Sequence, residues 1–247
     1  MFKNILVVTD NLYMCTNFQQ VFEDLSFKGV RISFAISPFS DKNNFENRLK
    51  FSVSVYDLKN DKHVKTICEN YDLVFSIHCK QIFPKELVNT VKCINVHPGY
   101  NPINRGWYPQ VFSILYDIPI GATIHEIDEK LDHGNIIDRE FVEKEIVDTS
   151  LTLYNKVLKK EIFLLKKNLP SIISNCYSTI KPENEGKLFM KNDFKNLCEI
   201  DLKQLTTAED LINKFRALTH NDYKNAFFID QKTNKKVFIS INLEYGE

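Results

Sequence analysis

Asn95 and His97 stand two residues apart at the end of an apolar run, residues 91–96, and Pro98-Gly99 follows at once. Side chains of a strand alternate between its two faces, so an amide and an imidazole at this spacing leave the same face. The Pro-Gly pair stops the strand and sets His97 at its carboxyl end. A carboxylate arrives later, in Leu131-Asp132-His133-Gly134, just ahead of another apolar strand. Together these are the parts needed to move an acyl group between nitrogens. An amide can donate to the oxyanion of a tetrahedral intermediate, for on the order of 10²–10³ in rate. An imidazole can take the proton of an attacking amine and return it to the leaving nitrogen, for roughly 10²–10⁴ more. The carboxylate can hold the imidazolium or order a water beside it. This chemistry needs no metal, and His78-Cys79 lacks a third ligand at suitable spacing.

The surrounding pattern supplies a scaffold for such strand ends. Apolar, strand-like runs cover residues 3–9, 30–36, 51–58, 72–77 and 91–96. Helical segments are expected over 11–27, 62–70 and 85–89. Continuous apolar strands alternating with helices predict an α/β fold with a mostly parallel sheet covered on both faces. Leu151, Tyr154, Leu158, Ile162 and Leu165 recur at helical spacing, with Asp148 or Thr149 as the cap. Pro170 lies just past that periodic stretch and Pro182 farther on, so a boundary is expected near residue 180. Residues 1–180 would form the catalytic domain and 181–247 a small α+β extension. The extension carries a helix over 208–217 and strands over 225–230 and 236–242, joined by a hairpin loop at 231–235.

Composition narrows the partners. Lys plus Arg number 32 and Asp plus Glu 32, so no net charge draws the chain to nucleic acid or a membrane surface. No apolar segment reaches the roughly 18 residues a membrane helix requires. The amino terminus enters a strand at once, without the core and cleavage site of a signal peptide. Six cysteines without a CxxC pair suit reduced structural thiols. The expected location is the cytoplasm.

Asn95-x-His97-Pro98-Gly99 followed by Leu131-Asp132-x-Gly134, with Gly121-Ala-Thr-Ile-His125 between them, resembles the formyltetrahydrofolate-dependent formyltransferases. Ser76-Ile-His78-Cys79-Lys-Gln81-Ile-Phe83-Pro84 and Asn104-Arg105-Gly106-Trp107-Tyr108-Pro109 look like the nucleotide-sugar N-formyltransferases within that group. The resemblance covers residues 1–180 well and the tail more loosely. It implies a Rossmann-like formyltransferase domain in which Asn95, His97 and Asp132 are catalytic. The implied co-substrate is N10-formyltetrahydrofolate, with Gln81, Ile82, Phe83 and Asp128 beside its pterin and no metal. The implied acceptor is a dTDP-linked amino sugar, dTDP-4-amino-4,6-dideoxyglucose, whose formamido product serves surface polysaccharide such as the O-antigen of lipopolysaccharide. The resemblance also implies a homodimer formed through the tail.

Residues on the sugar side carry open alternatives. Asp10 and Asn11 either touch the nucleotide-sugar or cap the next helix. His78 is placed on the sugar side by resemblance, while its residues alone favour a loop role over metal binding. Arg105 could pair bidentately with phosphate oxygens. Asn104, Gly106 and Trp107 follow the catalytic strand directly and would choose which ring carbon presents its amine. Tyr223 is a candidate for stacking on the base. His125 continues the alternation Thr123, His125, Ile127 and reads as a core or supporting residue. The glycines of a dinucleotide fingerprint are missing after the first strand, which excludes NAD. The alternatives kept open are a 3-amino sugar acceptor, a formyltetrahydrofolate hydrolase, methionyl-tRNA formyl transfer and a folate-binding regulatory protein without catalysis.

Overall fold

A computed structural model describes residues 1–49 and 51–246. Eleven strands are present among them: β1 (Asn4–Thr9), β2 (Arg31–Ile36), β3 (Ser54–Val55), β4 (Leu73–Ile77), β5 (Lys92–His97), β6 (Arg105–Gly106), β7 (Ile120–Glu126), β8 (Ile136–Val142), β9 (Leu188–Phe189), β10 (Ala226–Asp230) and β11 (Lys235–Ile239). The helices are α1 (Leu12–Leu25), α2 (Lys42–Leu49), α3 (Asp61–Asn70), α4 (Lys85–Thr90), α5 (Pro109–Leu115), α6 (Ser150–Ile173), α7 (Lys191–Cys198) and α8 (Ala208–Leu218).

Seven strands form one sheet in the order β3-β2-β1-β4-β5-β7-β8. Pairing is parallel from β3 to β5 and antiparallel for β7 and β8. The apolar runs are continuous because both faces are covered. Ile5, Val7, Phe75 and Ile94 pack in the cluster that includes α1 and α6 side chains, and Leu6, Val8 and Val74 pack with Val64, Ile67 and Leu87 on the other face. The chain turns outward in opposite directions from β1 and β4. The crevice at their carboxyl ends is where open α/β sheets receive ligands.

Two expectations are adjusted. The third strand keeps only two residues, because the Gln81 side chain takes the Leu58 N–H and the Tyr56 carbonyl that a ladder would have used. The long helix does not stop before Pro170. Thr149 caps it, and Pro170 falls in its last turn, where the Pro170 carbonyl still accepts from Ser174. The elements α2, α5, α7, β6 and β9 lie outside the segments expected from the sequence. In the tail, β10 and β11 form the expected antiparallel hairpin. Arg216 of α8 anchors the tail by donating to the Glu145 and Asp148 carbonyls.

Candidate active site

The site begins with a register. In the β5–β7 pair Asn95 lies opposite His125 and His97 opposite Thr123. Directly opposed residues share a face, so four polar side chains are gathered on one side of the sheet. Thr123 Oγ1 donates to the Gly99 carbonyl (2.7 Å) and accepts from Asn101 N (3.0 Å), which fixes the loop leaving β5. Gly99 cannot carry a side chain, since a Cβ there would sit 2.5 Å from His97 Nε2.

His97 is buried, and its Nε2 lies 2.8 Å from the Asn104 carbonyl oxygen. A carbonyl only accepts, so the proton of the neutral ring sits on Nε2 and the lone pair on Nδ1. That Nδ1 lies 3.7 Å from Asp132 Oδ2. Asp132 is held by two donors: Gly106 N–H to Oδ2 (2.9 Å) and Asn95 Nδ2 to Oδ1 (3.1 Å). Its backbone is in the left-handed region at φ 46°, and its carbonyl accepts from Asn101 Nδ2. Burial opposes its charge, but the positive charge of His97 and His125 in their protonated forms, with the Gly106 N–H, outweighs it and holds the carboxyl well below the usual carboxylate range. The geometry therefore offers a basic nitrogen beside a fixed negative charge.

His125 joins this cluster in a supporting place, bonded to Asn95. Its Nδ1 donates to the Glu126 carbonyl (2.7 Å), so Nε2 accepts from Asn95 Nδ2 (3.2 Å). Asn95 thus has one amide hydrogen on Asp132 and one on His125. The signal in the sequence is the repeat of Asn-x-His in Thr-x-His, two residue pairs of the same period placed on neighbouring strands. His125→Phe keeps the ring and removes the acceptor. We expect kcat to fall about tenfold with a smaller change in KM, through loss of Asn95 orientation. Steady-state kinetics check this, and an unchanged kcat would reduce His125 to packing.

The other candidates divide into those facing the site and those occupied elsewhere. Asn104, fully buried, accepts from Tyr100 N through Oδ1, and its Nδ2 donor has no partner among the described residues. Gly106 contributes its N–H to Asp132. Trp107 is half-buried, with the Lys191 ammonium 3.9 Å over its ring. Ile82 is 80% exposed next to buried Phe83. Asp128 pairs with His133 Nδ1 at 2.6 Å. Asp10 accepts from Ser37, Ser40 and the Lys80 backbone, pinning the loops after β2 and β4. Asn11 caps α1 through Met14 N and donates to Tyr154 Oη (3.1 Å). The Gln81 side chain is likewise spent on the loop after β3.

His78 has φ 52° and both ring nitrogens in use, Nδ1 with Tyr154 Oη (3.1 Å) and Nε2 with buried Glu161 (2.8 Å). The Tyr154 ring packs on His220 (5.6 Å) and His220 on Tyr223 (5.9 Å), which is 70% exposed. The structure thus gathers Asn11, His78 and Tyr223 around Tyr154 at the crevice. Arg105 requires a correction. It is buried, and its guanidinium donates from all three nitrogens to the Leu131 and Glu185 carbonyls, so it clamps two loops where a phosphate contact was expected. Among the described residues, no group of three or more His, Cys, Asp or Glu is arranged to hold a metal, and no helix is long and apolar enough to cross a membrane.

Comparison with known proteins bears on the same residues. The Formyl transferase family model matches residues 19–169, and the N-formyltransferase dimerization C-terminal domain matches residues 193–245. The chain is 45% identical over 183 residues to the dTDP-4-amino-4,6-dideoxyglucose formyltransferase of Mycobacterium bovis, covering 74% of this chain and 78% of that protein. A 4-N formyltransferase from Francisella tularensis superposes with a TM-score of 0.92 at 44% identity, over 98% of each chain. A formyltransferase from Anoxybacillus kamchatkensis in complex with UDP-4,6-dideoxy-4-formamido-L-AltNAc and tetrahydrofolate gives a TM-score of 0.60 at 25% identity, over 87% of this chain and 98% of that one.

Proposed function

Because the chain belongs to the formyl transferase family, we propose that it moves the formyl group of N10-formyltetrahydrofolate to the amine of dTDP-4-amino-4,6-dideoxyglucose, giving the 4-formamido sugar. The carrying observation is His97 Nδ1, unprotonated by the bond that Nε2 makes to Asn104 and facing a carboxylate held in its charged form.

The residues present fit the folate co-substrate. Ile82 offers an exposed apolar surface on the loop after β4, next to buried Phe83. As the sugar nitrogen bonds to the formyl carbon, His97 Nδ1 takes the amine proton and Asp132 stabilises the resulting imidazolium. Asn95 donates to the oxyanion by giving up its bond to His125, exchanging a neutral acceptor for a charged one, which binds about twice as strongly. When the bond from the formyl carbon to N10 breaks, His97 returns the proton to N10. Each proton and electron pair is accounted for by these three side chains.

The fuller reading is a cytoplasmic homodimer that supplies formamido sugars for surface polysaccharide. The dimerization-domain match supports pairing through the tail, where Val237 and Phe238 of β11 are exposed. The division near residue 180, with residues 181–247 serving substrate binding and dimerisation, is part of the same proposal. Tyr223, His78 and Asn11 at the crevice are its candidate contacts for the dTDP group. The acceptor is tested by comparing kcat/KM for the 4-amino and 3-amino isomers. We expect the 4-amino sugar to be preferred. An equal or larger value for the 3-amino sugar overturns the position of the amine and leaves formyl transfer standing.

A further inference from the structure

Between the end of α6 and the start of α7 the chain runs back across the catalytic loops as a strap. Ile180 exchanges two backbone bonds with Ile136 at the start of β8, each 2.8 Å. The Glu185 carbonyl then accepts from Arg105, and its carboxylate meets Lys130 at 2.6 Å. Gly186, at φ 60°, comes so close to the loop after β5 that an added Cβ would overlap the Pro102 carbonyl oxygen. Next, β9 pairs in parallel with β6, and the Phe189 carbonyl accepts from Trp107 N (2.8 Å). The Phe189 ring is buried and stacks on Phe112 at 4.0 Å. The strap lies between the two stretches matched by family models.

On the far side of this seam is Asp132. Gly106, the β6 residue paired with Phe189, is the one whose N–H donates to Asp132 Oδ2. At its φ of 92° an added Cβ would overlap the Phe189 carbonyl oxygen, which shows how tightly strap and loop are fitted. Arg105 holds the same carboxylate from the other end, since it grips the carbonyl of Leu131, the residue before Asp132, while bonded to the strap at Glu185. Asp132, at φ 46°, is fixed by Gly106, which pairs with the strap, and through Leu131 by Arg105, which is bonded to the strap at Glu185.

We propose that Phe189 and Arg105 are positioning residues for the reaction: through the strap they hold Gly106 and Leu131 so that Asp132 is fixed opposite His97 Nδ1. The strap is therefore a part of the active site contributed by chain beyond residue 180. The proposal rests on the formyl-transfer reading for its kinetic consequence, but its geometric content can be measured without substrate.

The test uses the full chain with Phe189→Ala, Phe189→Leu and Arg105→Gln. Amide hydrogen exchange of Gly106 and a carboxyl NMR titration of Asp132 are read alongside kcat and KM. In Phe189→Ala we expect Gly106 to lose about tenfold or more in exchange protection and Asp132 to titrate closer to the ordinary carboxylate range. We expect kcat to fall about 10- to 100-fold, with KM for formyltetrahydrofolate within about threefold, because the Ile82 loop is untouched. Phe189→Leu, which keeps an apolar anchor, should recover most of the kcat. Arg105→Gln leaves the Phe189–Phe112 stack in place and decides the matter if Phe189→Ala does not fold. Unchanged Gly106 exchange, or a kcat near wild type despite lost protection, overturns the proposal. If the wild-type chain transfers no formyl group, the functional reading falls, while Gly106 exchange and the Asp132 titration still decide whether the strap sets the carboxylate.

Discussion

His97→Ala is expected to lower kcat by about 10²–10⁴-fold while leaving formyltetrahydrofolate affinity within a few-fold of wild type. The ring has one free nitrogen. Nε2 is committed to the Asn104 carbonyl, so Nδ1 alone of this ring can take the amine proton. Folate affinity should persist because the proposed pterin surface, Ile82 on its loop over buried Phe83, leaves from β4 rather than β5. His97→Asn is the sharper variant. It keeps a polar amide near the position of Nδ1 and removes the basic nitrogen. Single-turnover rates with saturating folate and sugar are the measurement. Retention of more than about a tenth of the wild-type rate removes the general-base assignment.

Asp132→Asn is expected to cost about 10³–10⁴ in kcat with little change in either KM. The amide preserves shape and can still accept from Gly106 N–H, so the loop should keep its place. What is lost is the negative charge 3.7 Å from Nδ1 of His97, and that charge matters only once the ring is protonated in the transition state. A raised KM at unchanged kcat would instead make Asp132 a binding residue. The same variant carries a stability signature. The folded carboxyl titrates below its unfolded value of about 3.9, so its contribution is complete above that pH and declines as pH falls through the folded value. Denaturant melts of wild type and Asp132→Asn should therefore converge as the pH drops below about 4, with their difference constant at higher pH.

Much of this site is legible in the sequence because its chemistry follows from local rules. Period-two alternation puts Asn95 and His97 on one face, and Pro98-Gly99 sets the strand end. What stays hidden depends on partners remote in sequence. The bond of His125 to Asn95 depends on the β5–β7 register, which the repeated polar-x-His spacing does not by itself fix. A guanidinium fork suits two carbonyls as well as a phosphate, and the carbonyls that claim Arg105 lie 26 and 80 residues away. Helix α5 begins at a proline and is buried from Pro109 to Ile114, so it has no polar face and hence no helical period to detect. The strap has no period either, being held by single contacts to separate loops and strand ends. The apolar run over 51–58 overstates the third strand because the Gln81 side chain replaces part of its ladder, a substitution invisible until Gln81 is placed in space.

The central claim is transfer of the formyl carbon from folate to a sugar amine through His97. Its most direct measurement follows that carbon. Isotopically labelled N10-formyltetrahydrofolate is mixed with the wild-type chain and dTDP-4-amino-4,6-dideoxyglucose, and the label is located by NMR as tetrahydrofolate is released. The label is expected to appear as the formamide carbon at C4 of the sugar, in step with tetrahydrofolate and without free formate, and His97→Asn is expected to suppress both signals together. Label accumulating as formate, or tetrahydrofolate released at the same rate without the sugar, would make the chain a hydrolase and contradict formyl transfer to the sugar.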